Sequence, residues 1–159
     1  MKVGFIGLNH VGSQLIDSFL QAQAFLPNEV IVYDRNLEKA DSITSKYPGI
    51  LAARQSRELI QEVACFSLCI DKADYPTIKK EIQNEIKSSH VLLSLVPSVP
   101  LDELEVDFPC KVAKIRLNTN PFKIQSFSSG SRMTEAEKHM LQLLFSTINL
   151  EQKSATLFL

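Results

Sequence analysis

The sequence predicts an α/β fold: a doubly wound, mostly parallel sheet with helices on both faces. Three observations predict it. Strand-like and helix-like stretches alternate almost from end to end, the order that a parallel sheet with crossover helices requires. Runs such as "CFSLCI" (65–70) are apolar on both faces, as strands covered by helices on both sides are. The length of 159 residues at 45% hydrophobic suffices for one substantial core and is short for two, so a single domain over 1–159 is expected.

The elements follow in order. "KVGFI" (2–6) reads as the first strand. From Gly12 to Ala24, Leu15, Ile16, Phe19 and Leu20 recur with a period near 3.6, which predicts a helix that stops at Pro27 and Asn28. "EVIVYD" (29–34) is the second strand, and Asn36 is placed to cap the next helix, which carries Glu38 in its first turn and ends at "YPG" (47–49). "ILAAR" (50–54) is a short strand, after which Ser56 is expected to cap "RELIQEVA" (57–64). "CFSLCI" is the central strand; "YPTIKKEIQNEI" (75–86) supplies a helix with Ile78, Ile82 and Ile86 on one face; "HVLLSLV" (90–96) is the next strand, followed by "PSVP". "KVAKIRL" (111–117) alternates cleanly, and "KIQSF" (123–127) continues beyond the turn "NTNP" as one further strand. Thr134 with Glu137 forms a capping box for the last helix, whose face of Met140, Leu141, Leu144 and Phe145 is expected to be core.

Composition excludes several functions. Lys and Arg number 17 against 18 Asp and Glu, and no block of like charge could track a phosphate backbone, so nucleic acid is not an expected partner. No apolar stretch approaches the roughly 18 residues of a membrane helix, and the amino terminus lacks a secretory pattern; no membrane association and a cytoplasmic location are expected. The three cysteines, Cys65, Cys69 and Cys110, form no C-x-x-C pair, and the histidines have no ligand spacing, so no metal site is expected. Cys65 and Cys69 lie on the same side of a strand and read as small buried apolar side chains.

The informative stretch is "GLNHVG", Gly7, Leu8, Asn9, His10, Val11 and Gly12, between the first strand and the first helix. In a dinucleotide-binding turn the first glycine makes a tight bend, the second lets phosphate approach bare backbone, and the third lets helix and strand pack closely. Gly7 and Gly12 hold the first and third places; Asn9 holds the second, where its side chain takes up volume meant for phosphate and where a left-handed backbone tolerates Asn better than most residues. Asp34, at the end of the second strand, stands where an acid grips the adenosine ribose hydroxyls, which favours NAD over NADP, while Arg35 beside it is placed to pair with a phosphate or stack on adenine. These features predict a Rossmann-type site for NAD or NADP. No residue presents itself as catalytic: there is no Walker loop, no G-x-S-x-G and no cysteine–histidine pair.

With these motifs placed, the chain resembles the amino-terminal half of the pyrroline-5-carboxylate reductase family, especially the branch represented by the late competence protein ComER. "VGFIGLNHVG" is similar to the family's I-G-F-I-G-x-G-N-M-G/A opening, "YDRNLEKADSI" to N-R-x-x-E-K-A, "CFSLCIDKADYPTIKKEI" to the strand ending in V-K-P, and "VAKIRLNTNP" to R-x-M-P-N. The resemblance implies an oxidoreductase that uses NADPH or NADH to reduce a cyclic imine in proline synthesis, or a competence-related relative of one. It further implies that Gly7 and Gly12 line the pyrophosphate, Asp34 and Arg35 the adenosine end, Ile70 and Asp71 a strand end near the cofactor, with Lys72 beside them, and Asn120 the nicotinamide-side loop; Ser94 ends a further strand on the same rim. Asn9 and His10 depart from the motif, and Asp71 replaces its Lys. That reversal of charge beside a diphosphate is worth about 1–3 kcal/mol at a partly exposed site. The resemblance further implies a carboxyl-terminal helical domain that forms the dimer and holds substrate, and the expectation is that residues 1–159 do not include it. Weak activity or none is therefore expected of the chain alone, with self-association through an exposed apolar patch. The competing expectation is a non-catalytic regulatory or interaction module that keeps the fold with a degenerate cofactor site.

Overall fold

The computed structural model describes residues 2–119 and 122–157. Seven strands form one sheet in the order β3-β2-β1-β4-β5-β6-β7. They are β1 (Val3–Ile6), β2 (Val30–Tyr33), β3 (Leu51–Ala52), β4 (Cys65–Leu68), β5 (Val91–Ser94), β6 (Lys111–Thr119) and β7 (Phe122–Ser129). The first six run parallel, and β7 returns antiparallel to β6. Every residue of β1, β2 and β4 is buried, which is why these strands read as continuous apolar runs rather than alternating ones.

Six helices cover the sheet: α1 (His10–Gln21), α2 (Leu37–Lys46), α3 (Ser56–Glu62), α4 (Tyr75–Ile82), α5 (Leu101–Asp107) and α6 (Glu135–Leu157). One core layer joins Leu15 and Phe19 of α1, Ala40 of α2 and Phe145 of α6 to Val3 and Phe5 of β1. There Phe19 meets Phe25 and Phe145 edge-on, with ring centroids 5.5 and 5.4 Å away. The opposite layer joins Leu59 of α3, Ile78 and Ile82 of α4 and Leu104 of α5 to Phe66 and Leu92. The doubly wound α/β sheet expected from the sequence is the one observed.

The caps are legible residue by residue. Asn36 Oδ1 accepts the Glu38 amide, and Thr134 and Glu137 exchange the two bonds of a capping box. Ser56 departs from expectation: it sits inside α3, with Gln55 at the cap position, and its hydroxyl donates 2.7 Å to Glu81 Oε2 of α4. Helix α1 begins at His10 rather than Gly12, because Asn9 is its cap. Helix α5 carries no periodic signal in the sequence, and its only buried side chain is Leu104. This short helix is held at its carboxyl end by Arg132, whose Nη1 donates to the carbonyls of Glu105, Phe108 and Cys110.

The stripe on α6 is only partly core. Phe145 and Ile148 are fully buried, whereas Met140 and Leu143 are 66% and 55% exposed. They line an open apolar groove of about 530 Å³ with Val3, Phe25, Cys65 and Val91, the amino-terminal edge of the sheet. The stripe is wider than the face that α1 and the sheet offer it. Among the described residues no helix is long and apolar enough to cross a membrane, and no cluster of three or more His, Cys, Asp or Glu is placed to hold a metal.

Burial pushes the thiols of Cys65, Cys69 and Cys110 up to about 12. Alkylation at neutral pH should therefore modify none of them in the folded chain and all of them in urea. Glu137 is drawn down to about 2 from 4.5, first by the hydrogen bond from Lys111 and then by that from the Thr134 amide. A depressed carboxylate contributes stability above its unfolded value and loses it as the pH falls through the folded one. Melting temperatures of the wild type and Glu137→Gln should differ most above pH 4.5 and converge as the pH falls towards 2.

Candidate functional site

The parallel register lines up the strand ends. Ile6 pairs with Tyr33 on one side and Leu68 on the other, and Leu68 pairs with Ser94. The residues that follow therefore gather on one carboxyl rim, and β1, with β2 on one side and β4 on the other, is where the strand order reverses. In open α/β sheets the crevice forms at that reversal.

Gly7 makes the bend with φ +93°, and its amide donates 2.8 Å to the Tyr33 carbonyl. A Cβ at Gly7 would lie 2.3 Å from the Cys69 carbonyl oxygen and 2.5 Å from Ile70 Cγ2, so both backbone angle and space demand glycine. At Gly12 a Cβ would lie 2.7 Å from the Gly7 carbonyl oxygen and 2.9 Å from Cys69 Cβ, the close helix–strand packing of the fingerprint's third place. Asn9 corrects the sequence expectation. Its backbone is extended, φ −66° and ψ −179°, so no left-handed conformation is asked of it. Its side chain instead caps α1, Oδ1 accepting the Gly12 amide at 3.0 Å. Asn9 thus takes for itself one of the helix-start amides that an anion would use. The amides of His10 and Val11, with His10 exposed and Val11 half-buried, have no partner among the described residues.

Asp34 is engaged on both oxygens: Oδ2 accepts the Leu8 amide at 2.7 Å and Oδ1 the Asn36 amide at 2.8 Å. It ties the glycine turn to the end of β2, and each oxygen keeps a lone pair for a further donor. Arg35 turns away from it and pairs with Asp74 at 2.9 Å. That pair lines a crevice of about 40 Å³ whose walls also include Gly7, Asp34, Ile70 and Ile78. A larger hollow of about 470 Å³ lies between α3 and α4, lined by Arg54, Arg57, Lys80 and Glu81, but touches neither glycine of the turn.

The remaining candidates divide. Ile70 is buried against Gly7, while Asp71 and Lys72 are exposed at the start of the 3₁₀ turn Lys72–Asp74. Ser94 is fully buried at its strand end, its hydroxyl oxygen accepting the Val96 amide at 3.3 Å. Asn120 lies outside the described residues. Sequence reasoning missed Asp74, which only the fold carries to Arg35, and Lys114, which lies opposite Ser94 in register and donates to the carbonyls of Pro97 and Val99, both at 2.9 Å. The frame fits a dinucleotide at its phosphate end, with a bend only glycine can make and two unpartnered helix-start amides. It is narrow at the adenosine end.

Residues 2–98 match the family described as NADP oxidoreductase coenzyme F420-dependent. ComE operon protein 4 of Bacillus subtilis is 31% identical over 116 residues, 72% of this chain and 42% of that protein. Pyrroline-5-carboxylate reductase 3 of Xenopus laevis is 26% identical over 158 residues, 94% of this chain and 56% of that protein. Among solved structures, the Plasmodium falciparum pyrroline carboxylate reductase with NADP bound matches with a TM-score of 0.79 at 17% identity, over 93% of this chain and 55% of that one. The pyrroline-5-carboxylate reductase from Coxiella burnetii matches at 0.83 and 15%, over 92% of this chain and 56% of that one. The chain thus spans about half the length of the curated relatives it matches.

The two positions of the turn should respond with very different magnitudes. Gly7→Ala is expected to cost at least about 2 kcal/mol in urea denaturation, from strain and overlap with the Cys69 carbonyl. Asn9→Gly, which keeps a tolerated cap residue, should cost only a few tenths of a kcal/mol.

Proposed function

Because this chain belongs to the family described as NADP oxidoreductase coenzyme F420-dependent, alongside the pyrroline-5-carboxylate reductases, we propose that it binds a nicotinamide dinucleotide on its carboxyl rim. On this reading residues 1–159 act as one cytoplasmic dinucleotide-binding domain of a reductase that delivers hydride to a cyclic imine. The observation that carries it is the geometry of the turn: positive φ at Gly7, close packing at Gly12 and open amides at the start of α1, all beside the switch in strand order. In this assignment the turn from Gly7 to Gly12 cradles the diphosphate, and Asp34 accepts from the adenosine ribose. Ile70, Asp71 and Lys72 border the cofactor after β4, while Ser94 stands on the nicotinamide side. When bound, the nicotinamide supplies the hydride. Hydride transfer also requires an imine held in contact with the ring, and on this reading weak catalysis by the chain alone is expected.

A second reading has an observation of its own. Asn9 Oδ1 already holds the Gly12 amide, and an exposed acid, Asp71, follows β4, a combination that suits a binding or regulatory module with a degenerate cofactor site. Fold and activity separate readily in this architecture.

Calorimetric titration with NADH and NADPH distinguishes the two. Saturable heat with either, at a dissociation constant below about 1 mM, supports the first reading. Asn9→Gly should then tighten binding about tenfold by freeing the Gly12 amide. No heat with either cofactor, for the wild type and for Asn9→Gly combined with Asp71→Lys, would favour the second.

A further inference from the structure

Arg35 and Asp74 stand 39 positions apart in the chain and meet at 2.9 Å only because β2 and the turn after β4 flank β1 on opposite sides. The pair lines one crevice together with Gly7, Asp34 and Ile70, and that crevice measures about 40 Å³. Ligand sites usually exceed about 300 Å³, so the crevice as it stands is too small to enclose an adenosine moiety, and the pair is part of what narrows it. Both side chains are partly exposed, at 55% and 40%, and an ion pair of that kind is weak enough to open.

The pair also affects which adenosine is welcome. At the end of the second strand an acid such as Asp34 accepts from a ribose 2′-hydroxyl, whereas a 2′-phosphate is accommodated by a nearby arginine. Arg35 is adjacent to that acid, and Asp34 has its own carboxylate committed to the Leu8 and Asn36 amides. The guanidinium is drawn instead to Asp74, on the far wall of the crevice. A 2′-phosphate would therefore have to compete with a carboxylate for its cation and to approach that carboxylate's charge as well. A ribose with a free 2′-hydroxyl meets neither obstacle.

We propose that Asp74 is a specificity-determining residue: by holding Arg35 across the crevice it disfavours dinucleotides that carry a 2′-phosphate relative to those that do not. The proposal rests on the dinucleotide reading of the same cleft. It assigns Asp74 no contact with the reacting atoms; Asp74 acts through Arg35 and through its own charge.

The test uses the full chain, with adenosine 2′,5′-bisphosphate and adenosine 5′-monophosphate as calorimetric probes beside NADPH and NADH. Asp74→Asn should tighten the 2′-phosphorylated ligand of each pair about tenfold and its partner less than about twofold. Adding Arg35→Gln should abolish that gain. In ligand-free protein, the Arg35 Nε–H resonance should move on Asp74→Asn, a readout that cofactor chemistry does not enter. Binding with an unchanged affinity ratio, or a resonance that stays in place, would overturn the proposal and leave the dinucleotide reading standing. Absence of heat with all four ligands in every variant would overturn that reading, and this inference with it.

Discussion

The site depends on one close approach. Gly7 lies so near the Cys69 backbone and the Ile70 side chain that no side chain can be placed on it, and the bend this allows sends the chain from β1 straight into α1. Three tethers converge on the same turn: Gly7 to the Tyr33 carbonyl, Leu8 to Asp34, and Cys69 to the Ile6 carbonyl. Together they bind the ends of β1, β2 and β4 into a single rim. The start of α1, and with it the amides of His10 and Val11, is positioned by contacts among backbones rather than by long side chains.

Most of this architecture could be read from the sequence because it rests on local rules. Two-sided apolar runs gave the central strands, and short polar residues before apolar periodicity gave the caps at Asn36 and Thr134. The fingerprint gave Gly7 and Gly12. What escaped was determined at a distance. Helix α5 has one buried side chain and is held by Arg132 from beyond β7, so its own residues carry no periodic signal. Ser56 looks like a cap in isolation, yet Glu81, brought alongside by packing of α3 and α4, offers it a charged acceptor. Met140 follows the α6 stripe faithfully, and only the width of the opposing surface decides that it stays exposed.

The same contrast runs through the rim. That Asn9 stands in place of a glycine is plain from spacing, but its role is not, because an asparagine in that position can adopt a left-handed backbone or cap the helix. The extended backbone at φ −66° selects the cap. Asp34 was visible as a terminal acid, whereas its two amide partners, one on the glycine turn and one at the start of α2, appear only in three dimensions. An acid at this position therefore serves the scaffold before any ligand arrives, and a substitution there would loosen the turn and alter the rim chemistry together.

The contact between Gly12 and Cys69 reaches beyond stability. With 2.9 Å between the Cβ of Cys69 and the place where a second Cβ would stand, these two positions form a single lock whose halves cannot drift independently. Enlarging either would lever the first helix off the sheet unless the strand end retreated, since Gly12 has nothing left to give up. Lineages descending from this sequence are thus expected to change the two sites in concert or leave both alone, and the small sulfur-bearing side chain marks how little room for divergence the turn allows.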